Sequence, residues 1–140
     1  MEKHEISNTK LETNYKLENS SRESSAVKRF DLEDRTLRFA KDVRIFVRGL
    51  PKDTSNYEDI KQITRSSGSI GANYLEANES LSKKDFIMRI KISKKETRET
   101  IYWLELLKVG DKDLVELVRL SKEATELLNI LGAILRNSSK

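Results

Sequence analysis

The chain has no cysteine, a single histidine and a single proline among its 140 residues. Without cysteine there are no disulfides, no thiolate nucleophile and no zinc ribbon, a composition that suits the cytoplasm. The one histidine, His4, falls in a polar N-terminal stretch, which removes histidine-based catalysis and leaves no expected metal site or cofactor. One proline and five glycines interrupt the chain rarely, so long helices are favoured over short strands. Aromatic residues make up only 6%, and the β-branched residues follow helical periods instead of alternating. No apolar run approaches the ~20 residues needed to span a bilayer, and the N-terminus lacks the apolar centre of a secretion signal, so no membrane partner is expected.

What is present points to one small all-α domain. Apolar and charged residues each make up 36%, enough for one core with a solvated exterior. Residues 1–29 are rich in Ser, Asn, Glu and Lys and read as a flexible polar extension. Residues 30–137 read as the folded domain and 138–140 as a frayed end. Within the domain, a first helix is expected from an N-cap at Asp31 to a stop at Gly49 and Pro51, with Leu32, Phe39, Ala40, Val43, Phe46, Val47 and Leu50 inward. A capping box, Ser55 to Glu58, opens a second helix that reaches about Asn78, and another, Ser82 to Asp85, opens a third that ends near Val109. Asp111 or Asp113 caps a fourth, running to about Asn137 with Leu114, Leu117, Val118, Ser121, Ala124, Leu128, Leu131 and Leu135 inward. Short links force alternate directions, so the expected architecture is an antiparallel up-down-up-down four-helix bundle.

The second helix holds the least ordinary stretch, QITRSSGSIGANYLEA over 62–77. Its middle carries Ser66, Ser67, Gly68, Ser69, Gly71 and Ala72. An interior glycine costs a helix about 1 kcal/mol relative to alanine, so two within one turn imply close approach by a neighbouring helix. A comparison with phosphate-binding loops fails, because SSGSIGAN has no strand before it and no GKS or GKT after it. Beside this core face runs a polar stripe of Arg65, Ser69, Asn73 and Glu76, open to two readings: a network that fixes how helices or subunits meet, or an anion site. No nucleophile adjoins a base and no carboxylate pair has metal spacing, so the chain is not expected to be an enzyme or to take a small-molecule substrate.

Charge is unevenly distributed although the net charge is only +4. Residues 83–98 hold seven Lys or Arg against two acids, while 53–81 hold five acids against two bases. Arg38, Lys41, Arg44 and Arg48 share an arc of the first helix, and Lys91, Lys94 and Arg98 lie one turn apart on the third. Such rows fit a phosphate backbone, and they equally fit a solvated face or the acids of another subunit. Tyr102 and Trp103 stack on bases in one reading and pack beside Leu104, Leu106 and Leu107 in the other. A second apolar line on the third helix, Met88, Ile92, Trp103 and Leu106, together with the wide face of the fourth, suggests burial between subunits.

The blocks FDLEDRTLRFAKDVRIFV, QITRSSGSIGANYLEANESLSKKDFIMRIKISKKETRETIYWLELL and ELLNILGAILRNS are similar to a known family. The chain resembles, over about Phe30 to Arg136, the small four-helix-bundle proteins encoded in intervening sequences of bacterial large-subunit ribosomal RNA genes. That resemblance implies a homo-oligomer, commonly a pentameric ring. It also connects the chain to accessory variability proteins of diversity-generating retroelements, basic pentamers that engage a reverse transcriptase and RNA. Arg65, Ser69, Asn73, Glu76, Asp85, Phe86, Tyr102 and Trp103 fall where the family pattern is most fixed. The functional expectation is a non-catalytic homo-oligomer that binds RNA through the basic faces of helices 1 and 3. The alternative is a scaffold for a protein partner such as a nucleic-acid enzyme.

Overall fold

Four helices and the links between them account for residues 31–138, the part of the chain that the computed structural model describes. The expected extension over 1–29 and the final residues 139–140 lie outside the described residues. Helix α1 covers 31–48, α2 Thr54–Asn78, α3 Lys83–Leu106 and α4 Asp111–Ser138. None of the described helices is long and apolar enough to cross a membrane.

The helix ends show local chemistry at work. Beyond α1 the Gly49 and Leu50 amides still bond back to Phe46 and Val47, after which Pro51 has no amide to offer. Asp53, not Ser55, caps α2: its side chain accepts from the Asn56 amide at 2.8 Å. Aspartate and serine are comparable caps, and the capping-box spacing at Ser55 singled out the wrong one by two residues. Ser82 caps α3 as expected, accepting from the Asp85 amide at 3.1 Å. Asp31 is already helical, and Asp111 and Asp113 lie inside the first turn of α4. There their charge favours the helix dipole without capping it.

Helix α3 ends at Leu106, three residues before the expected stop, and its cause is a distant side chain. Asn56 is fully buried, and its amide group bonds both backbone groups of Lys108, donating to the carbonyl at 3.0 Å and accepting from the amide at 3.3 Å. It also donates to the Pro51 carbonyl at 3.2 Å. One asparagine therefore satisfies backbone groups in both links at this end of the bundle, groups that would otherwise be left without helical partners.

Cross-helix contacts give the topology from Arg35 onward, where the chain forms one compact unit. Arg44 reaches Thr64 while Thr36 meets Gly71, so α1 and α2 run antiparallel. Ser66 meets Thr100 and Asn73 meets Arg89, so α2 and α3 do likewise. Lys94 approaches Gly132 while Leu104 and Ser121 line one groove, and Arg35 bonds Glu123 while Arg119 bonds Asp42. The order around the bundle is thus α1, α2, α3, α4, and α1 stands diagonally across from α3.

The centre is filled by Phe39, Val43, Ile63, Ile70, Ile90, Leu104, Leu120, Leu127 and Leu131, all fully buried. Each such side chain contributes ~1.5–3 kcal/mol by leaving water. The inward face of α4 is Leu120, Ala124, Leu127 and Leu131. Of the expected inward set, Leu114 and Val118 are substantially exposed and Leu117, Ser121, Leu128 and Leu135 only half-buried. Two apolar lines share α4, and only packing against its neighbours decides between them.

Between α2 and α3 the core is made of small hydroxyl side chains. Ser66, Ser67, Ser93, Thr97 and Thr100 are fully buried. Their hydroxyls are satisfied at short range: Ser93 donates across to the Ile70 carbonyl at 2.8 Å, and Thr97 to the Ser93 carbonyl at 2.8 Å. Thr100 Oγ1 lies 2.8 Å from Ser66 Oγ. Small volume lets the backbones approach, and the hydrogen bonds avoid the penalty of stranded polar groups.

The α1 side of α2 uses the two glycines, as the bare middle of that helix implied. A β-carbon on Gly71 would stand 2.9 Å from Thr36 Oγ1 and 3.2 Å from Thr36 Cβ. One on Gly68 would stand 3.0 Å from Arg44 Nη2, so that glycine seats a guanidinium.

Candidate nucleic-acid interface

On α3 the residues facing directly away from the core are Lys84, Met88, Lys91, Lys95, Arg98 and Tyr102, all exposed. They recur at three- and four-residue intervals, the spacing that keeps side chains on one face. Among the described residues no carboxylate pairs with Lys91, Lys95 or Arg98. From Lys91 to Arg98 the helix rises about 10 Å. Lys95, absent from the expected row, belongs to it more fully than Lys94. Lys94 is half-buried and turns toward α4, its Cε 4.0 Å from where a β-carbon on Gly132 would stand.

The basic arc of α1 divides in the same way. Arg38, Lys41 and Arg48 are exposed, whereas Arg44 is half-buried and folded onto α2. Its guanidinium donates to the Ala40 carbonyl at 3.1 Å and the Thr64 carbonyl at 3.2 Å. Because α1 and α3 are diagonal, their basic rows face opposite sides of one protomer, and the two cannot form a single continuous surface.

Other arginines are held by acids. Arg35 bonds Glu123 through Nε at 3.0 Å and also pairs with Glu126. Arg119 joins Glu116 at 2.6 Å and Asp42 at 3.0 Å. The pKa of Arg119 is raised by its hydrogen bonds to Glu116 and then Asp42, and that of Arg35 by its bond to Glu123. These ties fasten α4 to α1. They contrast with the two rows, whose exposed cations form no ion pair among the described residues.

The polar stripe of α2 is a structural network over most of its length. Arg65 reaches Glu99 at 2.9 Å and Glu96 at 3.3 Å, Ser69 donates to the Arg65 carbonyl at 2.9 Å, and Asn73 bridges the Ser69 carbonyl and Arg89. Glu76 is exposed and forms no ion pair among the described residues. Glu96 is itself buried, and its Oε2 has the Arg65 charge nearby but no well-directed hydrogen bond. Asp85 is exposed in the first turn of α3. Tyr102 and Trp103 meet edge to face with ring centres 5.1 Å apart; Tyr102 is 57% exposed and Trp103 half-buried.

Sequence reading passed over Asn56, Thr36, Glu96 and Thr100, all buried. Each is a polar residue at an inward helical position, a signal that was available. Asn56 lies seven residues before Ile63, and Thr36, Glu96 and Thr100 fall within the apolar arcs of their helices.

Among the described residues no three His, Cys, Asp or Glu side chains are grouped to hold a metal ion. A groove of about 760 Å³ runs along α2 where Arg44 of α1 folds onto it; Arg44 is its one lining residue from α1, and the α2 side includes Lys61, Thr64, Arg65, Ser69 and the small floor of Gly68 and Ala72. A second, apolar groove of about 500 Å³ between α3 and α4 is lined by Leu104, Leu117, Val118 and Ser121.

Comparison with known proteins agrees with this geometry. A crystal structure of a protein of unknown function from the S23 ribosomal protein family of Bacteroides thetaiotaomicron is 33% identical and superposes with a TM-score of 0.69. The similarity covers 78% of this chain and 98% of that one. No protein of curated function matches the sequence. The pattern of the 23S rRNA-intervening sequence proteins matches residues 28–133, most of the chain and nearly all of the described bundle. The chain belongs to the 23S rRNA-intervening sequence protein family.

Proposed function

We propose that this bundle is a non-catalytic RNA-binding protein that works as a homo-oligomer in the cytoplasm. The observation that carries the reading is the row Lys91, Lys95 and Arg98, exposed and without a carboxylate partner among the described residues, while Arg35, Arg65 and Arg119 are held by acids. Arg38, Lys41 and Arg48 form a second row on α1. Lysines and arginines on a helix face meet phosphates without reading bases, so binding is tolerant of sequence and weakens as salt rises. Opposed rows on one protomer suit an RNA that passes between protomers of a ring, each offering one face. Apolar side chains left in solvent support that assembly: Ile45 is 68% and Val115 82% exposed, and Val118 borders the α3–α4 groove.

The test is fluorescence anisotropy with a labelled RNA at low salt. The wild-type protein is expected to bind, and the Lys91→Glu, Lys95→Glu, Arg98→Glu triple variant to lose at least tenfold in affinity. A wild-type protein that binds no RNA would sink the reading. Light scattering tests the ring: a mass five times the 16.2 kDa of one chain is expected, and a monomer at micromolar concentration refutes it.

A second reading, a scaffold for a protein partner, is favoured by the apolar α3–α4 groove, which suits a helix more than a phosphate chain. It predicts a complex with a protein that survives high salt, where the RNA complex dissociates.

A further inference from the structure

Among the described residues Arg44, Arg89 and Lys94 are half-buried cations without a carboxylate partner, and of these Arg44 lines the α1–α2 groove. Its guanidinium bonds to Ala40 and Thr64 both end on main-chain carbonyls, and no carboxylate pairs with it among the described residues. A carbonyl supplies a dipole but no counter-charge, so a half-buried guanidinium held this way keeps most of its positive field. That field points into the α1–α2 groove, because Arg44 lines it over the floor of Gly68.

The surroundings of Arg44 have the same sign. Lys41 and Arg48 lie three residues before and four after it, on the same flank of α1, and both are exposed. Across the groove stand Lys61 and Arg65, one turn apart on α2. Lys61 has only a loose pair with Glu58 at 3.9 Å, and Arg65 gives its charge partly to Glu96 and Glu99. Thr64 and Ser69 add hydroxyl-bearing side chains to the lining. Arg44 from α1 and Lys61 and Arg65 from α2 thus place three cations around one low floor, with Lys41 and Arg48 outside the lining.

Width selects among anionic polymers. Packed helices stand roughly 8–10 Å apart, and a groove between two of them admits one extended strand but not a duplex. We infer that the α1–α2 groove is a cradle for the backbone of single-stranded RNA, with Arg44 held over Gly68 as its central phosphate anchor. The inference rests on the RNA-binding reading and adds this groove to the α3 row as a second contact surface.

Two variants and one mapping experiment test it on the full chain. Gly68→Leu fills the floor and displaces the Arg44 guanidinium without removing a charge, and Arg44→Lys keeps the charge but loses the two-pronged guanidinium. With a labelled 20-nucleotide oligouridylate at 50 mM salt, Gly68→Leu is expected to weaken binding about tenfold and Arg44→Lys about fivefold. A 20-base-pair RNA duplex is expected to bind the wild-type protein at least tenfold more weakly than the single strand. Because Gly68→Leu also touches packing, photocrosslinking of wild-type protein with a 4-thiouridine-substituted strand supplies a check without mutation. Crosslinks within 37–48 and 61–72 support the cradle. Crosslinks confined to 84–102, with both variants binding as wild type and the α3 triple variant losing affinity, would overturn the cradle while the RNA reading stands. No binding of either RNA by the wild-type protein would overturn both.

Discussion

Substituting alanine for each of the two glycines of α2 should have opposite effects, although they are three residues apart on one helix. The helix gains ~1 kcal/mol at either position, since alanine is the better helix former by that amount. What the new methyl group meets decides the sign. At Gly71 it would lie 2.9 Å from Thr36 Oγ1, 3.2 Å from Thr36 Cβ and 3.7 Å from the Thr36 carbonyl carbon. Thr36 is fully buried and close to its own backbone, so it has little room to retreat. Overpacking of that kind costs ~1–3 kcal/mol, which leaves Gly71→Ala destabilising by about 1 kcal/mol after the helix gain. At Gly68 the methyl group would meet only the tip of Arg44, at 3.0 Å from Nη2, and a long flexible side chain can move aside. Gly68→Ala should therefore lie between neutral and ~1 kcal/mol stabilising. Urea midpoints measured at one fixed protein concentration give the comparison, since any assembly makes stability depend on concentration. Gly71→Leu, which adds four carbons where one does not fit, should prevent folding or assembly. Equal midpoint shifts for the two alanine variants, or a Gly71→Leu protein of native mass and stability, would refute the claim that α1 and α2 meet closely at Thr36.

Three further substitutions test other parts of the structure. Asn56→Ala strands the Lys108 amide and carbonyl at the end of α3, and should cost ~2–4 kcal/mol in chemical denaturation and speed hydrogen exchange in the 107–110 link. Asp53→Ala should cost ~1 kcal/mol as the loss of a helix cap, while Ser55→Ala should change stability by less than ~0.5 kcal/mol; the reverse order would restore Ser55 as the cap. Arg65→Ala leaves the buried Glu96 carboxylate without its charge partner and should destabilise by ~1–2 kcal/mol, a modest figure because Arg65 is half exposed. Replacing Glu96 by Met in that background should recover most of the loss, and a double variant no better than Arg65→Ala would show that the pairing is not the cause.

Helix number, order and most boundaries were legible because they depend on local chemistry. Ser82 caps α3 and Gly49 with Pro51 stops α1 through atoms a few residues away. The bare centre of α2 was legible as a close contact for a similar reason: two glycines in one turn need a steric cause. Features that depend on distant partners were not. The early end of α3 is set by Asn56, 52 residues away in the chain. Which of two apolar lines on α4 turns inward follows from its neighbours, and so does the fate of Arg44, which periodicity placed in an exposed basic row and the fold draws onto Thr64. Lys94 and Lys95 differ by one residue and by 100° around α3, enough to send one toward α4 and the other to solvent. The polar stripe was open between a network and an anion site, and the pairing of Arg65 with Glu96 and Glu99 favours the network.

The salt dependence of RNA affinity tests the central claim most directly. Each phosphate neutralised on a single strand contributes roughly −0.7 to the slope of log K against log salt. Lys91, Lys95 and Arg98 alone therefore predict a slope of about −2 for the wild-type protein, steeper if the α1–α2 groove contributes, measured with one oligouridylate between 50 and 200 mM salt. Charge reversal at Lys91, Lys95 and Arg98 should weaken affinity and flatten that slope. A slope near zero, or no measurable binding at 50 mM salt, would contradict the account.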